Sequence, residues 1–170
     1  CFPRTISKKT LLDSIGWTDR EPSAVLGKTA IDLLFAWTEI QFSSGGSVIC
    51  EMNFHARLDP PRFASLGSRF PCRFVQVHCS APNSLLIERY RERAMSREMH
   101  PGHFDGSIEV QDSFANGLVR GDWAPLNMPG RLFRIDPLKL DYTRFMTDVA
   151  SAISGNGQDT DRATDSFDPI

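Results

Sequence analysis

The sequence predicts an α/β layer fold, a parallel β-sheet flanked by helices. Three short apolar runs, at residues 47–51, 74–79 and 132–136, are too brief for helices, and the first and third stop on an acid, Glu51 and Asp136. Runs of this kind read as strands buried in a parallel sheet. Between them lie segments whose apolar residues recur every three or four positions. Helices therefore alternate with strands, the order expected when parallel strands are joined by helical crossovers.

In chain order, Leu11, Leu12 and Ile15 form a short helical pattern closed by Gly16. Ser23 is a fair N-cap for a long helix to Phe42, in which Leu26, Ala30, Leu33, Leu34, Trp37 and Ile40 recur at helical spacing. Ser43-Ser-Gly-Gly ends it, and Ser47-Val-Ile-Cys-Glu51 follows as the first strand. Pro60-Pro61 opens a helix through Leu66. Phe74-Val-Gln-Val-His-Cys79 is the second strand, with Val75, Val77 and Cys79 on one face. Ser80-Ala-Pro-Asn leads into an arginine-rich helix, whereas residues 106–117 show no decisive period. Leu132-Phe-Arg-Ile-Asp136 is the third strand, and residues 141–153 form a last helix with Phe145, Val149 and Ile153 on one face. At 170 residues this is about one domain, spanning 1–153. Gly, Asn, Asp, Thr and Ser dominate residues 154–170, the composition of a disordered tail.

Composition narrows the partners. A net charge of −2 argues against general nucleic-acid or membrane-surface binding. No apolar run approaches a membrane span. Cys50 and Cys79 lie inside apolar runs, and no cysteine pair or Cys–His pair has zinc-site spacing, which points to a reduced, cytoplasmic setting. Cys1-Phe-Pro-Arg lacks an initiator methionine, so the chain is expected to be a fragment.

The stretch from residue 85 to 105 concentrates chemistry. Arg89, Arg93 and Arg97 are spaced i, i+4, i+8 and would share a helical stripe leading into His100-Pro-Gly-His103. Guanidinium forks match phosphate oxygens, so the segment suits a lid over phosphates. The opposing reading is a solvated face, because Glu88, Glu92, Glu98 and Asp105 balance the arginines. His100 and His103, with Asp105, could bind a metal, but Pro101-Gly102 favours a turn with a phosphate-contacting or structural role. His78 reads as a hydrogen-bonded strand residue and His55 as a surface one. Glu51 stands at a strand's carboxyl edge, where ligands gather in open α/β sheets. It could hold magnesium directly or through water, act as a base, or simply face solvent.

Gly27-Lys28-Thr29 is not a phosphate-binding loop. The motif needs a glycine five residues earlier, where Pro22 stands, and a strand before it rather than a helix. No other G-x-x-x-x-G-K-[ST] occurs in the chain.

Arg89-Tyr90 through Arg93 to His100-Pro-Gly-His103 and Asp105 resembles the lid of a family. Its members are the predicted small-molecule kinases of the P-loop superfamily, AAA-family ATP-binding proteins akin to zeta toxins and chloramphenicol phosphotransferase. Asp13-Ser-Ile-Gly-Trp17, Leu26-Gly27, residues 47–54 and Arg134-Ile-Asp136 fall in the expected order, so the resemblance covers roughly residues 5–153. It implies a three-layer parallel sheet flanked by helices that binds ATP and magnesium and phosphorylates a small hydroxyl-bearing molecule. It further implies that Glu51 lies near the magnesium or the accepting hydroxyl and that Asp136 lies near the nucleotide. Arg93 would stabilise the transferring phosphate, supported by Arg89, Arg97, His100 and His103.

Three departures qualify this. The family's first strand and phosphate loop would precede residue 1. The acid expected just after Ile6-Ser-Lys8 is replaced by Lys9-Thr10. Met99 stands where an arginine should precede the His-Pro-Gly-His turn, with Arg97 nearby as a substitute. The chain alone is therefore expected to bind ATP poorly, with no cofactor of its own, and to self-associate through an exposed sheet edge. The alternative is a non-catalytic relic or binding module that keeps the fold without the chemistry.

Overall fold

The structure, a computed structural model, describes residues 2–96 and 100–155. The described residues contain six helices and four strands, with every strand pairing parallel. They fall into two compact units, residues 1–72 with 82–128 and residues 73–81 with 129–170.

In the first unit, β1 (Phe2–Pro3) lies beside β2 (Cys50–Glu51), with Phe2 opposite Cys50 and Pro3 opposite Glu51. The helices are α1 (Arg4–Ile15), α2 (Arg20–Ser43), α3 (Pro60–Arg69), α4 (Asn83–Met95) and α5 (Ile108–Arg120). Helix α1 packs on α2; Leu12 of α1 and Leu26, Ala30 and Leu34 of α2 are buried, and Phe63 and Leu66 of α3 complete the buried apolar set. Leu12, Leu34 and Leu66 are each about 1 % exposed. Full burial of a leucine contributes about 1.5–3 kcal/mol, so these three anchor the unit. Phe63 also takes the ring edges of Phe35 and Phe54, each 5.2 Å away.

The α2 face differs from the one expected. Leu33, Trp37 and Ile40 are exposed, and the buried stripe runs Ser23, Leu26, Ala30, Leu34, Thr38. Thr38 belongs there because its hydroxyl donates to the Leu34 carbonyl (2.8 Å) and lies 3.2 Å from Cys50 Sγ. A polar residue with a partner thus occupies a position that periodicity gave to apolar ones.

The second unit comprises β3 (Val75–Cys79), β4 (Arg131–Ile135) and α6 (Tyr142–Ser154). β3 and β4 are in register from Val75–Arg131 to Cys79–Ile135. Phe145 of α6 meets the Phe133 ring edge-on at 6.0 Å. Asp141 caps α6 by accepting from the Arg144 amide (3.1 Å).

Several expectations change. Of the apolar run 47–51, only Cys50 and Glu51 enter a ladder, and Ile49 is 69 % exposed, because β1 supplies just two pairing residues. β1 itself, two residues long and half proline, carries no readable strand signal. Asp19, not Ser23, caps α2, its carboxylate accepting from the Glu21 amide (3.0 Å). Pro22 then falls in the first turn, where a missing N–H leaves no helical bond unmade. Residues 108–120 are fully helical between Ser107, whose hydroxyl caps Val110, and the left-handed Gly121. The last helix reaches Ser154, and Gly155 follows it; the tail expected beyond lies outside the described residues from 156 onward.

Candidate functional site

Glu51 ends β2 with an exposed side chain, and the chain leaves it in a loop, residues 52–59, that is tied down at several points. The Asp59 carboxylate, 6 % exposed, accepts from the His55 amide (2.6 Å). The Ala56 amide donates to the Asp122 carbonyl (2.7 Å), which fastens the loop to the end of α5. The Arg57 amide donates to His55 Nδ1 (3.2 Å), and the Phe54 ring packs on Phe63. An acid at a strand's carboxyl end followed by a fixed loop is a suitable platform for holding a polar group of a ligand.

Beside this loop, Asp122 gathers three basic side chains. Arg57 Nη2 lies 2.5 Å from its Oδ1, and Arg120 reaches Oδ2 through Nη2 (2.6 Å) and Nε (3.1 Å). His55 Nε2 stands 3.8 Å from Oδ1. The Arg120 hydrogen bond, seconded by Arg57, holds the Asp122 carboxyl below its ordinary range against the opposing effect of burial.

α4 closes at Met95, where Ser96 turns to an extended conformation and its hydroxyl donates to the Arg93 carbonyl (2.8 Å). The helical stripe therefore contains Arg89 and Arg93, both exposed; Arg97 and Met99 lie outside the described residues. Arg93 sits over the Tyr90 ring at 5.9 Å. Tyr90 fastens α4 to its neighbours, stacking on Phe114 of α5 at 4.2 Å between centroids and donating its hydroxyl to Asp105 (2.6 Å). Burial, then the Asp105 contact, pushes the Tyr90 hydroxyl well above its ordinary pKa, so it remains a donor.

His100-Pro-Gly-His103 forms a 3-10 turn, Pro101–His103, seated on α1 and α2. Buried Ser23 donates its hydroxyl to the Gly102 carbonyl, and Trp17 presents ring edges to His100 (5.7 Å) and Phe104 (5.8 Å). His100 Nδ1 accepts from the Gly102 amide (3.1 Å), which leaves the ring proton on Nε2, and Nε2 lies 3.1 Å from Asp13 Oδ1. Both ring nitrogens are thus engaged, and neither is open to a phosphate in this arrangement. Asp13, bonded first to Lys9 and then to His100, is held below the ordinary carboxylate range. The His103 ring lies 6.4 Å from that of His100. Among the described residues no cluster of three His, Cys, Asp or Glu is placed to hold a metal ion.

Asp136, in the second unit, is a turn former. Its Oδ1 accepts from the Leu138 amide (2.9 Å), and Oδ2 lies 3.8 Å from Lys139 Nζ.

Sequence reasoning singled out neither the Asp122 cluster nor the Asp13–His100 pair as a site. For Asp122 the available signal was Arg120-Gly-Asp, an arginine separated from a carboxylate by one glycine. Its other partners come from residues 55–57 and carry no sequence mark. Among the described residues no helix is long and apolar enough to cross a membrane.

No family model and no curated protein matches the chain. Among solved structures, that of a putative kinase from Chloroflexus aurantiacus j-10-fl, at 1.70 Å resolution, aligns with a TM-score of 0.76 and 30% sequence identity. The alignment covers 89% of this chain and 82% of that one. The parallel strands and six helices are consistent with that kinase-like α/β fold.

Proposed function

The chain belongs to the family of that Chloroflexus aurantiacus protein, and from this premise we infer that it is the body of an ATP-dependent phosphotransferase acting on a small hydroxyl-bearing molecule. The likeness over 89% of the chain carries the reading. The motif order at residues 89–105, read from the sequence, supports placing it with the P-loop kinases akin to zeta toxins and chloramphenicol phosphotransferase. Glu51, exposed at the carboxyl end of β2, is then the acid that orients the accepting hydroxyl or a water of the magnesium shell. Arg89 and Arg93 face solvent on α4, where they can meet transferring phosphate charge, and Arg97 and His103 are second-rank members of that group. His100 acts through position, as the residue that joins the turn to α1. Asp136 is nucleotide-proximal in this reading. The thiols of Cys50 and Cys72, neither in a disulfide, fit a reducing, cytoplasmic setting.

No G-x-x-x-x-G-K-[ST] lies among these residues, so the 170-residue chain alone is expected to give no tight, magnesium-dependent heat in an ATP titration. Fused behind a strand–phosphate-loop segment, it is expected to bind Mg-ATP and to phosphorylate members of a panel of small alcohols. Glu51→Gln and Arg93→Gln should each then lower kcat by about 10²-fold or more. Transfer indifferent to both substitutions would refute the assignment.

A binding module without catalysis is the second reading. It is favoured by Lys9 standing where the family's acid is expected, bonded instead to Asp13 at 2.7 Å, and by the engagement of both His100 nitrogens. In that case the fusion would bind nucleotide without transferring phosphate.

A further inference from the structure

We propose that Arg57 and Arg120, held on the two oxygens of Asp122, form an oxyanion site for a phosphate-monoester group on the acceptor molecule; this deepens, and rests on, the phosphotransferase reading. The burial pattern carries it. The Asp122 side chain is 7 % exposed, whereas those of Arg57 and Arg120 are 65 % and 53 % exposed. The carboxylate is covered and the guanidinium groups stand out in solvent, each oriented by the group beneath it.

Charge points the same way. One carboxylate between two guanidinium groups leaves a positive surplus, and among the described residues neither arginine pairs with any other acid. Fastening the loop to α5 does not need two arginines, since the bond from the Ala56 amide to the Asp122 carbonyl already does so. The second guanidinium adds repulsion that the shared carboxylate only partly offsets, and an incoming anion would relieve it. His55 Nε2 faces the same oxygen at 3.8 Å, while its Nδ1 accepts from the Arg57 amide.

Donor geometry selects the ligand. Arg120 engages Asp122 through its Nε–Nη2 edge and keeps its Nη1–Nη2 end; Arg57 uses one Nη2 hydrogen and keeps the edge that contains the other. Two forks from different segments remain. A carboxylate fills one fork with its two oxygens, whereas the three terminal oxygens of a phosphate monoester can serve both. The buried carboxylate orders two long side chains in advance, which lowers the entropy cost of binding. Arg57 lies on the loop that starts at Glu51, so an acceptor anchored there lies along the loop leading back to the proposed acid.

The test uses inorganic phosphate with the 170-residue chain, without ATP or magnesium, followed through the amide and arginine Nε–H resonances. The expected result is saturable, salt-weakened shifts at Ala56, Arg57, Arg120 and Gly121. Arg57→Gln and Arg120→Gln should each weaken affinity by about tenfold. Arg57→Lys, which keeps the charge and loses the fork, should lose most of that factor, and acetate should bind more weakly than phosphate. Arg69→Gln removes an arginine that pairs with the more exposed Glu39 and should change nothing. Should Arg120→Gln fail to fold, the exposed Arg57 variants decide the matter. Absence of saturable shifts up to about 50 mM phosphate, far weaker than metabolite binding, would overturn the proposal. So would full affinity in Arg57→Gln, or acetate binding as tightly as phosphate. None of those results touches the ATP-transfer assay, so the two readings fail separately.

Discussion

A Cβ added at Gly102 would lie 2.8 Å from Trp17 Cγ, closer than real Cβ atoms come, and 3.0 Å from Leu12 Cδ2, so Leu12 would have to shift as well. The absence of a side chain therefore lets the His-Pro-Gly-His turn reach α1. Gly102→Ala is expected to destabilise the first unit by about 1–3 kcal/mol, the usual cost of overpacking, measured as a lowered urea midpoint at unchanged slope. Asp122 gives a pH signature. Its folded carboxyl lies below its ordinary value of 3.8, so the ionised cluster contributes its full stability above that value. The contribution is lost as pH falls through 3.8 and on through the lower folded value. Asp122→Asn should flatten this part of the acid-unfolding curve, read by circular dichroism between pH 5 and pH 2. Neither residue was legible as a site in the sequence: the one is a glycine inside a turn, the other an acid whose partners come mostly from a distant segment.

At the scale of elements, caps decide what periodicity leaves open. Ser107 at the start of α5 accepts from the Val110 amide, and Gly121 (φ 71°) adopts the left-handed conformation that closes it. Ser107→Ala should cost about 1 kcal/mol, visible in the thermal midpoint. Ser23 makes the contrasting case. Its hydroxyl bonds a carbonyl 79 residues away, so Ser23→Ala should leave α2 helical while raising amide exchange at residues 100–104, because what it loses is the bond to the Gly102 carbonyl. α2, α3, α4 and α6 were readable from apolar spacing and their prolines. α5 was not, since only Ile108, Val110 and Phe114 marked it; its cap residues at either end were the better signal. β1 was invisible because two residues cannot show a period of two.

On the whole molecule, the α/β class and parallel pairing followed from three apolar runs and the helices between them, while the strand lengths did not. A ladder extends only as far as its partner, and no property of Val48 or Ile49 says that β1 supplies Phe2 and Pro3 alone. For the candidate site, the sequence marked Glu51, Arg89 and Arg93, all of which are exposed at element ends or faces where a ligand could meet them. The fixed state of His100 and the Asp122 cluster required coordinates, because each is assembled from segments remote in sequence.

The course of the chain through the two units has a consequence for how it is made. It enters the second unit at residue 73, leaves at 81, and re-enters at 129. Val75 must therefore wait for Arg131 before β3 has its partner. During synthesis the strand emerges, and α4 and α5 follow it, while its backbone donors and acceptors are still unpaired. A strand in that condition is a template for other chains, and pairing across so long a loop is slow. A chain stopped at Met128 should accordingly sediment as aggregates, whereas one carried through Gly155 should not. Nascent chains would be most vulnerable in the interval between those two lengths.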